Sequence, residues 1–175
     1  MIETIVIIAV VLIAALLVYA ATRPNTFRTQ RSITIAAPPD KVFPFINDFH
    51  KWIAWSPWEK LDPELKRTYS GASQGIGAVY EWDGNKDVGT GRSEITETVP
   101  PSKVIIKLDF LKPFEAHNTA EFTLVSSTGV TQVTWAMYGP QPYIAKVMTA
   151  FFNMDKMVGG QFERGLANLK ALAEK

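Results

Sequence analysis

The chain has 175 residues, a formal net charge of +1 and no cysteine. That length fits one domain plus an appendage. The charge balance argues against a nucleic-acid partner, and the missing thiols exclude disulfides and thiolate metal sites. The two histidines, His50 and His117, show no HxxxH or HxH spacing, so neither a metal nor a cofactor is expected.

Residues 4–21, TIVIIAVVLIAALLVYAA, form a run of eighteen without a charge. As a helix the run is about 27 Å long at roughly 1.5 Å per residue, enough to cross a bilayer's hydrocarbon core. Thr22-Arg23-Pro24 ends it, and Tyr19 falls where an interfacial aromatic belongs. A cleaved signal peptide is the competing reading, with Val18-Tyr19-Ala20 as the cleavage site. Against it, Met1-Ile2-Glu3 has no Lys or Arg, and the apolar run exceeds a usual signal core. The expectation is a single-pass anchor over residues 1–23, in contact with the membrane through 4–21. Arg23, Arg28 and Arg31 follow the run and no basic residue precedes it, so the positive-inside rule puts the rest in the cytoplasm. Residues 24–30 read as a polar linker.

From residue 31 the pattern changes to RSITIAA, where Ile33 and Ile35 alternate with Ser32 and Thr34 as in a half-buried strand. Pro38-Pro39-Asp40 opens a short helix with Val42, Phe43 and Ile46 as its apolar stripe. A second short helix or turn carries Trp52, Trp55 and Trp58. Strand-like runs at 66–70, 78–83, 91–99, 103–110, 117–125 and 130–138 alternate with Gly, Pro and Asn turn signals, which predicts an antiparallel meander. A short helix at 142–152 precedes a long one at 154–173, whose Met154, Val158, Phe162, Leu166, Leu169 and Leu172 recur at three and four. Gly159-Gly160 inside it costs about 1 kcal/mol per glycine against Ala, so these glycines either kink the helix or let something approach.

The first strand, the APPDKVF helix start at 37–43, the WxxWSPW run at 52–58 and the closing LxxLxxL resemble the SRPBCC superfamily, the START and polyketide-cyclase-like group. The resemblance covers about residues 31–173. It implies an α+β helix-grip (START-like) fold for residues 31–175: a curved seven-stranded antiparallel sheet wrapped around a long C-terminal helix, with a cavity between. One N-terminal transmembrane helix would precede it. Members bind or transform many unrelated ligands, so the resemblance carries fold and not function.

Strand parity identifies what faces the interior, because alternate side chains share a face. The more apolar sets hold Ile33 and Ile35; Ala78, Tyr80 and Trp82; Ser93 and Ile95; Val104, Ile106, Leu108 and Phe110; Ala120, Phe122 and Leu124; Val133, Trp135 and Met137. The same parity adds Glu97 and Asn118, and a one-residue bulge would reverse either assignment. The candidate ligand-binding set is Tyr80, Trp82, Ser93, Ile95, Ile106, Leu108, Asn118, Phe122, Trp135 and Met137, joined by Met157 and Gly160 from the last helix. Polar handles among bulky apolar walls are what small-molecule pockets contain; the same residues also suit a plain core. Glu97 is the candidate catalytic carboxylate, since burial would raise its pKa. The stretch at 71–77 (GASQGIG) lacks the spacing of a dinucleotide site, and neither GxSxG nor HExxH occurs.

Three functions remain open at this point. One is a binding or carrier module, not an enzyme, for a lipid-like or isoprenoid-like molecule at the membrane surface. Another is a cyclase- or dehydratase-type enzyme using Glu97 or Tyr80. The last is a structural or interaction domain with a filled core.

Overall fold

The computed structural model describes residues 1–175. Six strands form an antiparallel meander: β2 (Lys66–Gly71), β3 (Ala78–Asp83), β4 (Thr90–Val99), β5 (Lys103–Lys112), β6 (Ala116–Ser127) and β7 (Val130–Pro140). The first strand, β1 (Thr26–Ile35), adds beside β7, giving the order β1-β7-β6-β5-β4-β3-β2. Between the two sheet edges the chain passes through α2 (Pro39–Ile46) and two 3-10 turns, Phe49–Ala54 and Pro57–Lys60. Helix α4 (Met154–Ala173) lies on the inner face, mostly along β1, and buries Phe162, Leu166, Leu169 and Ala173 there. This is the helix-grip arrangement, reached through α3 (Tyr143–Thr149). Helix α1 (Ile2–Thr22) stands outside it, with Ala20 as its one buried residue.

Strand β1 starts at Thr26, inside the stretch read as a linker, so only Arg23, Pro24 and Asn25 separate it from α1. The segment 26–30, TFRTQ, has one apolar residue and shows no alternation, yet it pairs with β7 from Thr26 opposite Pro140 onward. Backbone pairing along β7, not side-chain pattern, makes it a strand. Its parity turns Arg31 inward. There the guanidinium bonds Glu163 at 2.7 Å and Asp155 at 3.0 and 3.2 Å, both on α4.

The three tryptophans of the turns serve the core. Trp52 Nε1 donates to the Ile46 carbonyl at 3.0 Å, and Trp55 Nε1 to that of Phe45 at 2.9 Å. Both acceptors lie in the last turn of α2, whose carbonyls lack helical partners. Asn168 Nδ2 of α4 holds the Trp55 carbonyl at 3.0 Å. Burying each such ring is worth about 1.5–3 kcal/mol; their indole N–H groups fix where each ring goes. The turn between β2 and β3 depends on glycine: Gly71 has φ +72°, and a Cβ there would collide with the Gly77 carbonyl.

One irregularity changes the reading of the interior. Ile95 pairs with Ile106 but Glu97 pairs with Ile105, so Thr96 is an extra residue in β4. Such a bulge reverses side-chain direction beyond it. Glu97 therefore turns outward, where its side chain is 48% exposed and pairs with Lys103.

Candidate functional site

The interior expected from parity is largely the interior observed. Tyr80, Trp82, Ser93, Ile95, Ile106, Phe122, Trp135 and Met137 are all buried. Leu108 and Asn118 are half-buried, as are Phe110 and Val158, which pack against the core. Three residues fall elsewhere. Glu97 faces solvent beyond the bulge, and Met157 is 60% exposed because it precedes the packed part of α4. Gly160 has open space where a Cβ would be and faces neither Trp82 nor Trp135. The glycine under Trp135 is Gly165, whose Cβ would come within 2.8 Å of the ring, and the glycine under Trp82 is Gly91.

Trp135 is the centre of the interior. Its ring stacks on Phe162 at 4.3 Å and on Phe122 at 4.8 Å, with Trp55 and Trp58 edge-on at 5.4 and 5.5 Å. Its Nε1 is buried and has no hydrogen-bond partner. Leaving a buried donor unpaired costs about 1–3 kcal/mol.

At the β2 edge lies a cluster that parity did not reveal. Glu59, in the second 3-10 turn, is buried, its side chain only 3% exposed. One carboxylate oxygen accepts from Arg67 Nε at 2.5 Å and the other from the Tyr80 hydroxyl at 2.6 Å. Tyr69 stacks on Tyr80 at 5.4 Å, and His50 stacks on Tyr69 at 4.3 Å. Burial, then the bond to Glu59 and its charge, push the Tyr80 phenol far above its ordinary range. It stays protonated and donates. Tyr80 is thus committed to Glu59 and is no free base or ligand handle. Strand alternation could not find Glu59 because it sits on a turn. The available signal was a carboxylate directly after the last tryptophan of WSPWE.

A second polar group lies on the outer face. His117 Nδ1 lies 2.7 Å from an Asp109 oxygen and Lys107 Nζ 3.1 Å from the other. Burial alone would raise the Asp109 carboxyl, but the bonds from His117 and Lys107 outweigh it and hold the pKa low. The Asp109 bond in turn raises the His117 imidazole. His117 also lines an open cleft of about 650 Å³ between the end of α1, the start of β6 and α3, shared with Asn25, Glu115, Gln141 and Lys146.

The comparisons with known proteins agree with this geometry. The family model described as polyketide cyclase / dehydrase and lipid transport matches residues 26–174. A search of curated proteins finds no match. Among solved structures, a Chromobacterium violaceum protein is 17% identical over 87% of this chain and 99% of its own, with a TM-score of 0.60. The di-domain aromatase/cyclase of the BE-7585A biosynthetic pathway is 20% identical over 90% of this chain and 53% of its own, at 0.62. The Aha1 protein of Colwellia psychrerythraea is 15% identical over 85% and 94%, at 0.55. At these identities the likeness is one of fold. On the family match, which begins at β1 and ends with α4, the chain belongs to the polyketide cyclase / dehydrase and lipid transport family, within the SRPBCC superfamily.

Proposed function

We propose that the protein is a binding or carrier module for a small apolar molecule, lipid-like or isoprenoid-like, held at a membrane surface by α1. The observation that carries this reading is Trp135: a donor without an acceptor, in a wall otherwise made of apolar rings. An apolar ligand bearing one oxygen would satisfy that N–H while burying its hydrocarbon. The half-buried Leu108, Phe110 and Val158 extend the apolar lining from this wall toward the surface. Helix α1 is long and apolar enough to span, with a mean hydropathy of 3.0 over its best window. With Arg31 paired to α4 and Arg28 bonded to Gln30 and Glu121, Arg23 carries the argument for a cytoplasmic domain.

The enzyme reading has lost both of its named groups, since Glu97 is outside and Tyr80 is committed to Glu59. A filled structural core is the reading that a specific observation favours, namely the close stacking of Trp135 on Phe122 and Phe162. Mass spectrometry of small molecules retained by the detergent-extracted full chain separates the two. One apolar species enriched over the bulk membrane lipids supports the carrier; a composition equal to the bulk lipids supports the filled core.

A further inference from the structure

Helix α3 and the turn after it bury little of what their sequence would bury. Ile144, Met148, Phe151, Phe152 and Met154 are all exposed, Phe151 at 69%. Between residues 142 and 154 the one charged side chain is Lys146, and it is buried, donating to Asn25 Oδ1 at 2.6 Å. The outer surface of this segment therefore carries no charge. A contiguous exposed apolar surface of this kind marks an interaction site.

Its position indicates the partner. Helix α3 packs on the end of α1, and the Tyr143 hydroxyl donates to the Leu17 carbonyl at 2.7 Å. Leu17 precedes the end of α1 at Thr22 by five residues, which is about 8 Å along the axis at roughly 1.5 Å per residue. Interfacial segments seat their apolar faces about 5–10 Å into the headgroup boundary. A bilayer that holds α1 up to Tyr19 therefore reaches the level of α3. Tyrosine suits that level, with its ring in the apolar side and its hydroxyl bonded.

The geometry points to residues 143–154 as a second membrane contact, in which Ile144, Met148, Phe151 and Phe152 insert into the leaflet that α1 leaves. This rests on the reading of α1 as an anchor. It adds that the domain is fixed in orientation, with the α3–α4 junction against the lipid, and does not swing on a tether.

The absence of cysteine allows a direct test. Single-cysteine variants of the full chain in lipid nanodiscs, each carrying an environment-sensitive fluorophore, are read with brominated lipids as quenchers. Ile8→Cys reports on α1, Ile144→Cys and Phe151→Cys on the proposed contact. Val125→Cys, exposed near the far end of β6, serves as the water-exposed reference. The expected result is quenching at positions 144 and 151 approaching that at 8, and none at 125. Quenching at 8 with positions 144 and 151 matching 125 would overturn this inference and leave the anchor standing. No quenching at 8 would overturn the anchor reading and this inference with it. Emission at 151 that is shielded from water yet unquenched by lipid would show a protein covering the face, and would also overturn it.

Discussion

The guanidinium of Arg31 occupies the space that a side chain at Gly159 would fill. The glycine that looks like a defect in α4 is the seat of the arginine that joins β1 to the helix. Gly159→Ala forces the guanidinium off Asp155 and Glu163. Asp155 and Glu163 are more than half exposed, so solvent screens these bonds, and their loss offsets part of a helix-propensity gain of about 1 kcal/mol. The variant should therefore melt below Gly160→Ala. Gly160→Ala meets nothing within 4 Å, so it should be neutral or gain up to about 1 kcal/mol. Thermal melts of the two single variants check the contrast. In an Arg31→Ala background the penalty at 159 should vanish, because the two changes remove the same contact.

Tyr80→Phe tests the cluster around Glu59. It removes one hydroxyl and leaves a buried carboxylate oxygen without its donor, which should cost about 1–3 kcal/mol in denaturant unfolding. Tyr69→Phe, at a phenol that makes no side-chain hydrogen bond to Glu59, should cost less. Equal costs would mean that the Tyr80 bond contributes nothing beyond ring packing.

The pair of His117 and Asp109 gives a pH dependence with a defined sign. The His117 folded-state pKa is raised above its ordinary 6.5 by the Asp109 bond. Its contribution to stability is then full below about pH 6.5 and fades as pH rises through the folded-state value. Asp109 is held low, so its contribution is present above the ordinary carboxylate pKa and is lost only on acidification. A ring-proton NMR titration should place His117 above 6.5, and Asp109→Asn should bring it down. His117→Gln should flatten the pH dependence of the melting temperature around neutrality.

Most of the fold was legible because its strands alternate. The predicted range of β3, 78–83, and that of α4, 154–173, coincide with the observed elements, and turn residues mark the strand ends. What escaped did so for two physical reasons. Residues 26–30 are a strand through pairing with β7, which leaves no trace in a polar stretch such as TFRTQ. Glu97 went to the wrong face because a bulge at Thr96 is a matter of register between β4 and β5, and neither strand shows it alone. The site divides the same way. The buried wall from Tyr80 to Met137 followed from parity, whereas Glu59 sits on a 3-10 turn where no periodicity assigns a face. Arg31 looks like a flanking charge in the sequence because its partners, Asp155 and Glu163, lie more than 120 residues away.

The most direct test of the account concerns one N–H. The five tryptophans give five indole resonances in a nitrogen–proton correlation spectrum of the full chain, and Trp135→Phe identifies one of them. Trp52 Nε1 is already bonded to the Ile46 carbonyl and Trp55 Nε1 to that of Phe45, whereas Trp135 Nε1 has no partner. On titration with farnesol or oleate, the account predicts that the Trp135 resonance moves to saturation, downfield as its N–H gains an acceptor, while those of Trp52 and Trp55 stay nearly fixed. If neither probe moves the Trp135 resonance at saturating concentration, the interior is a closed core and the carrier reading is wrong.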